Sequence, residues 1–172
     1  MSIREIISLP KPVLRRKARK VTDFGPGLQT LIDDMVETMR QAPGVGLAAP
    51  QVAESLRVIV VEFHEKEDDE ESPLKLYTIV NPEITRKSAE TLMGTEGCLS
   101  VPGILGDVER AAAVTVKGLN RHGQPVTIKV KGWMARIFQH EVDHLDGVLF
   151  VDRAEKVWKP EIKEGEKLPD NV

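Results

Sequence analysis

The sequence holds a single cysteine, Cys98, in 172 residues. That excludes an internal disulfide and leads us to expect a reducing, cytoplasmic location. No apolar run approaches the roughly 20 residues that a membrane-spanning helix requires, so a membrane protein is excluded. Met1 to Pro10 lacks an apolar core followed by small residues, which argues against a secretory signal. Neither sign of charge dominates. The 24 basic and 27 acidic side chains leave a net charge of -3, so nothing suggests nucleic acid as a bulk partner or substrate. No repeat and no second domain is visible, and residues 1–172 read as one soluble globular domain with a charged tail from about residue 155. A folded chain of this length buries roughly 68–70% of its extended surface. Its core needs neither disulfide nor structural metal, so any bound metal is expected to be functional.

Residues 11 to 20 contain Lys11, Arg15, Arg16, Lys17, Arg19 and Lys20 interleaved with Val13, Leu14 and Ala18, and read as a solvated surface segment. Leu28, Leu31, Ile32, Met35, Val36 and Met39 follow the spacing of an amphipathic helix that Pro43 and Gly44 stop. Leu56 to Phe63 reads as a buried strand. Glu65 to Glu71, acidic apart from Lys66, self-repels and should form an exposed, mobile loop. Leu74 to Val80 is a second strand, and Pro82 opens a third extended stretch reaching Leu92. Val114–Lys117 and Val126–Val130 alternate across a turn at Asn120–Pro125, as a hairpin does. Helical spacing returns from Trp133 to Leu145 and ends at Gly147. The expected class is α+β, with mostly antiparallel strands and hairpins packed around this late helix.

That helix contains His140-Glu141-Val142-Asp143-His144, an H-E-x-x-H. Four residues advance a helix by about 400°, so both imidazoles leave one face about 6 Å apart along the axis and can bind one ion. Glu141 lies about 100° further round, where it can handle a water's proton without acting as a ligand. A catalytic site of this kind needs a third protein ligand and an open position. In the longer pattern H-E-x-x-H-x-x-G-x-x-H, Gly147 fits but the last position is Phe150, which cannot bind metal. A downstream glutamate would be Glu164, in a polar tail without helical pattern. Cys98 is the remaining candidate, although a small buried core residue is the commonest fate of a free cysteine.

Three segments together resemble the signature motifs of peptide deformylases: Gly44-Val45-Gly46-Leu47-Ala48-Ala49-Pro50-Gln51, Glu96-Gly97-Cys98-Leu99-Ser100, and Gln139 through Gly147. They occur in the family's order, and the similarity runs from the N-terminus to about Phe150. The resemblance implies a hydrolase that removes the formyl group from formyl-methionyl nascent peptides and releases formate. It implies metal ligation by Cys98, His140 and His144, with Glu141 as acid and base. The Gln51 side-chain amide and the Leu99 backbone N–H map to the donors for the oxyanion. Ferrous iron is the implied metal, with zinc, nickel or cobalt as replacements. Gly46 is implied to bring its backbone against an extended substrate, Arg110 to lie near that substrate, and Val45, Trp133 and Ile137 to line the methionine pocket.

Two other functions fit parts of the pattern. An H-E-x-x-H metalloprotease would share His140, Glu141 and His144 but need a different third ligand. A metal-stabilised, ribosome-associated module using the Lys11–Lys20 patch would need a closed, four-ligand site, for which His64 and His122 lack motif support, and it would have no use for Glu141. Transient ribosome contact is also open to a deformylase.

Overall fold

The computed structural model describes residues 2–66 and 68–161. Its first helix, α1 (Pro26–Gln41), starts with proline at a first-turn position, where the missing N–H costs nothing. It buries the stripe from Leu28 to Met39 that the spacing predicts. In chain order follow β1 (Gly46–Ala48), a 3-10 turn (Ala49–Val52), β2 (Val58–His64) and β3 (Leu74–Lys87). Next come β4 (Thr91–Cys98), β5 (Val101–Ala111), β6 (Ala113–Leu119) and β7 (Pro125–Lys131). The described chain closes with α2 (Gly132–Leu145), the short α3 (Phe150–Arg153) and β8 (Lys156–Trp158).

Two antiparallel sheets result, one ordered β1-β2-β3-β6-β7 and the other β4-β5-β8. The expected α+β class with a late helix carrying both histidines is what the structure shows. β2 explains the layering. Its side chains alternate, so Ile59 and Val61 join the cluster under α2 while Val58 and Val60 join the cluster under α1. Burial of both faces by helices is why this strand reads as an unbroken apolar run rather than as an alternation. A third cluster, with Leu14, Val108, Leu149 and Phe150, forms the core of the smaller sheet and includes Cys98.

Three expectations need correction. β3 does not stop at Val80; it continues through Pro82 to Lys87. The break expected from proline is absorbed as register shifts against β6 between Val80 and Glu83 and again between Ile84 and Arg86, the kind of irregularity that accommodates a missing donor. Asn81 takes a positive φ of 52° there, and its side chain bonds both Val21 N–H at 2.8 Å and Val21 C=O at 3.0 Å. β5 carried no strand signal because Pro102, Gly103, Gly106 and three charged residues mask its alternation; pairing on both edges, with β4 and β8, holds it. β8 lies in what the sequence reads as a charged tail. Residues 162–172, with Glu164, lie outside the described residues.

The acidic stretch is exposed at each described position. The buried Ser72 closes it, accepting from Lys66 N–H at 3.1 Å and donating to Asp69 C=O at 2.6 Å. The 11–20 segment has all six basic side chains exposed, while Leu14 and Ala18 are buried. No described helix is long and apolar enough to cross a membrane.

This basic segment braces the end of α2. Ala18 N–H donates to Leu145 C=O at 2.7 Å, and Arg57 donates to the same carbonyl at 3.0 Å and to Asp146 at 3.0 Å. The last-turn carbonyl is thus satisfied twice. Gly147 then turns the chain at φ +75°, and a Cβ there would lie 2.5 Å from Arg15 O. Gly147→Ala combines left-handed strain with a backbone clash, so it should lower the unfolding free energy by more than ~1 kcal/mol. Urea unfolding checks this; unchanged stability would show that the segment yields without cost.

Candidate active site

α2 carries His140 and His144 on one face, one turn apart, with ring centroids 5.0 Å apart. Cys98 ends β4, and the two-residue turn Leu99–Ser100 returns the chain into β5, with Cys98 paired to Val101. This hairpin end meets α2. The Cys98 Sγ and one nitrogen of each histidine all lie within 4.8 Å of one another, and all three residues are buried. The His144 Nε2 is 3.4 Å from the sulfur.

Glu96, two residues before Cys98, organises the cluster. Its side chain has no exposure. One oxygen accepts from His140 Nδ1 at 2.9 Å and from Arg110 at 2.9 Å; the other accepts from Arg110 at 2.9 Å and from Arg136 at 2.7 Å. Burial opposes its ionisation, but the hydrogen bonds from Arg110 and His140 outweigh burial and hold the carboxyl well below the ordinary range. With Nδ1 donating to an anion, the lone pair of His140 Nε2 points toward the sulfur and the second imidazole. That Nε2 is buried and has no hydrogen-bond partner.

Where no cation is bound, the same convergence of sulfur and carboxylate favours a proton on His140 instead. Burial disfavours charge on His140, yet the Cys98 sulfur and Glu96 outweigh it and raise its pKa to about 10. His144 is driven well below the ordinary value by burial, by His140 and by Arg110. A sulfur and two imidazoles that are buried, convergent and oriented by a carboxylate fit a divalent cation.

Glu141 is fully buried, with neither carboxylate oxygen hydrogen-bonded, and Oε1 is 3.7 Å from His140 Nε2. Burial pushes its pKa up to about 7, opposed by the charge on His140. A carboxyl poised near neutrality can both take up and return a proton. Gly46 lies against it: a Cβ there would come within 2.9 Å of Glu141 Oε2. The glycine that the resemblance relates to substrate approach is thus also needed to admit the glutamate.

Gln51, in the 3-10 turn after β1, is fully buried. Its Oε1 accepts from Ala48 N–H at 3.0 Å, which turns Nε2 toward Ser100 Oγ at 3.1 Å and the Cys98 sulfur at 3.6 Å. Leu99, half-buried, sits in the turn beside Cys98 with its side chain near Gly44. Ile137 is part of the cluster under α2, and Val45 and Trp133 pack against that cluster while partly buried. Gln51, Cys98 and His140, each more than forty residues from the next in the sequence, thus meet at one point.

The family model described as polypeptide deformylase matches residues 3–159. A peptide deformylase of Dehalococcoides mccartyi (strain CBDB1) is 47% identical over 173 residues, covering 100% of this chain and 99% of its own length. The chain belongs to the polypeptide deformylase family. Among solved structures, a peptide deformylase from Legionella pneumophila is 46% identical with a TM-score of 0.80, over 90% of this chain and 87% of that one. The Thermotoga maritima peptide deformylase is 40% identical with a TM-score of 0.81, over 91% and 100%. As a deformylase the chain is a metal-dependent hydrolase that removes the N-formyl group from nascent polypeptides; the protease and closed structural-metal alternatives are not favoured.

Arg110, which the resemblance relates to the substrate, has a side chain only 4% exposed. Its donors are committed to Glu96 and, at 2.6 Å, to Asp143. The deformylase uses it to hold an internal anion. His64 binds Ser72 C=O at 2.7 Å, and His122 sits in the β6–β7 turn, so neither joins the cluster. What sequence reasoning missed is Glu96 as an organiser, although it stood inside the quoted motif. Its signal was an ionisable residue among small ones, two places before the only thiol.

Glu96→Gln would turn an amide N–H₂ toward groups that themselves only donate. The expected loss is about 3–5 kcal/mol of stability, as for breaking a buried ion pair. Because the folded-state carboxyl is depressed, its contribution is complete above the unfolded value of about 4.3 and declines as pH falls toward the folded one. Urea titrations at fixed metal concentration should show the gap between wild type and variant in full at pH 7 and narrowing below about pH 4. A pH-independent gap would contradict this origin.

Proposed function

We propose that the chain acts as one catalytic unit in which Cys98, His140 and His144 hold an iron(II) ion and Glu141 moves the proton during deformylation of formyl-methionyl peptides. The observation that carries this reading is Glu141: a fully buried carboxyl without a hydrogen-bond partner, 3.7 Å from a His140 Nε2 that also has none. A divalent cation bound there supplies Lewis acidity that lowers the pKa of a water toward neutrality.

Glu141 takes the proton of the attacking water as its oxygen adds to the formyl carbon. The resulting tetrahedral species carries negative charge on the former formyl oxygen. Gln51 Nε2, held in orientation by Ala48 N–H on its carbonyl side, and the Leu99 backbone N–H donate to that charge. Glu141 then returns the proton to the amide nitrogen as the C–N bond breaks. Formate and a free amino terminus leave, and Glu141 is again ionised. Gly46 leaves room for this carboxyl to sit between the edge strand β1 and the ligand helix. Val45 and Trp133, partly buried on the apolar cluster beside α2, supply the surface for a methionine side chain, and the fully buried Ile137 belongs to the cluster that backs it. The exposed cations of residues 11–20 offer an anionic ribosomal surface a transient contact near nascent chains.

The soft sulfur ligand accepts Fe(II), Co(II), Ni(II) or Zn(II) without selecting among them by affinity, and the resemblance stated above is what supports iron(II). Protein prepared anaerobically with Fe(II) should be highly active and decay in air, with added oxygen on Cys98 or metal loss seen by mass spectrometry. Ni(II) protein should be active and stable in air. A Zn(II) form as fast as Fe(II), with iron protein indifferent to air, would remove the case for iron.

Glu141→Gln keeps the shape of the side chain but can neither accept nor return a proton. Formate release from formyl-Met-Ala-Ser should fall by at least ~10²- to 10⁴-fold while metal content is retained. Full activity in metal-loaded variant protein would refute the assignment.

A further inference from the structure

Arg136 precedes His140 by four residues and His144 by eight, so it stands on the same face of α2, one turn toward the N-terminus. Nothing in the proposed chemistry uses it. Its guanidinium is nonetheless buried, with the side chain 6% exposed. It donates from Nη1 to Glu96 at 2.7 Å and to Val108 C=O at 2.8 Å, and from Nη2 to Leu92 C=O at 2.8 Å. Leu92 belongs to β4 and Val108 to β5. One side chain on the histidine helix therefore grips both strands of the hairpin whose end carries Cys98, and also the carboxylate that orients His140.

The hairpin is built to receive it. Gly94 of β4 pairs with Val108, and a Cβ on Gly94 would lie 2.7 Å from the Arg136 Cζ and Nε and 2.8 Å from Nη2. Van der Waals contact forbids both together, so any larger residue at 94 must displace the guanidinium from its backbone carbonyls. Arg110 already holds both oxygens of Glu96, and Arg136 adds what Arg110 does not: a direct tie from α2 to the β4 and β5 backbones.

We propose that Arg136, seated in the cradle left by Gly94, is a positioning residue that sets the Cys98 sulfur against the two imidazoles and thereby tunes metal affinity and coordination. The proposal rests on the assignment of Cys98, His140 and His144 as ligands. It predicts a metal-centre phenotype from a residue that touches no ligand atom.

The test uses the full chain with Co(II), reading affinity by chelator competition and coordination by the visible absorption of the bound ion. Arg136→Met should weaken Co(II) binding by about 10- to 100-fold, shift the absorption bands, and lower kcat with little change in KM. Arg136→Lys keeps the charge beside Glu96 but cannot span both carbonyls, so it should fall between. Gly94→Ala retains the arginine yet crowds it, and should move affinity and spectrum in the same direction. Wild-type affinity and spectrum in folded Arg136→Met protein would overturn the proposal, whatever happens to its melting temperature. If that variant does not fold, wild-type values in Arg136→Lys and Gly94→Ala would overturn it equally. The ligand assignment fails separately, by a Cys98→Ala protein that keeps wild-type Co(II) affinity and spectrum.

Discussion

A carboxylate taken wholly out of water must be neutralised where it lies, and at Glu96 this requirement arranges the centre of the molecule. Its oxygens receive four hydrogen bonds from Arg110, Arg136 and His140. The donors come from β5 and from two successive turns of α2, while Glu96 itself stands on β4. A buried anion is destabilising alone and strongly stabilising to the groups that compensate it, so the three elements are locked in one mutual arrangement. Orientation of His140 is a by-product of that lock, because the same anion fixes which ring nitrogen carries the proton.

The charge network does not end at Glu96. Arg110 continues to Asp143, and Asp143 accepts from Arg153 at 2.7 and 3.0 Å. Asp143 lies on α2 between the two histidines but on another face, so the helix is held by apolar packing on one side and by alternating charges on the other. Gln139 adds a third grip, accepting from Ala111 N–H at 3.1 Å and donating to Ala111 C=O at 3.0 Å. A helix held this way presents its histidines with little freedom, which is the condition a metal centre needs for well-defined geometry.

Close approach is the second constraint. Gly46 makes room for Glu141, and Gly94 makes room for Arg136. Both glycines lie in strands, where the missing side chain weakens local packing, and in both cases the compensation is a charged side chain seated against backbone. The edge strand β1 can then lie beside the ligand helix, with its outer edge unpaired among the described residues.

Periodicity alone determined α1, α2, the β6–β7 hairpin and the apolar character of β2, because each depends on which face of a local element meets the core. The H-E-x-x-H spacing likewise placed two imidazoles on one face, since helical geometry is local. The three motifs together were specific enough to indicate the chemistry. Only the tertiary structure decided that Cys98 meets those imidazoles, because a thiol more than forty residues away can equally be core. It also decided that β3 runs through Pro82 and that β5 and β8 are strands, where pairing partners override weak propensity. Arg110 shows the limit most clearly: an arginine reads as surface or substrate contact from sequence, and whether it is exposed or enclosed depends on which anion folding buries beside it. Arg136 was equally silent, although it stood four residues before His140, because spacing assigns a side chain to a face and cannot say what that face will meet.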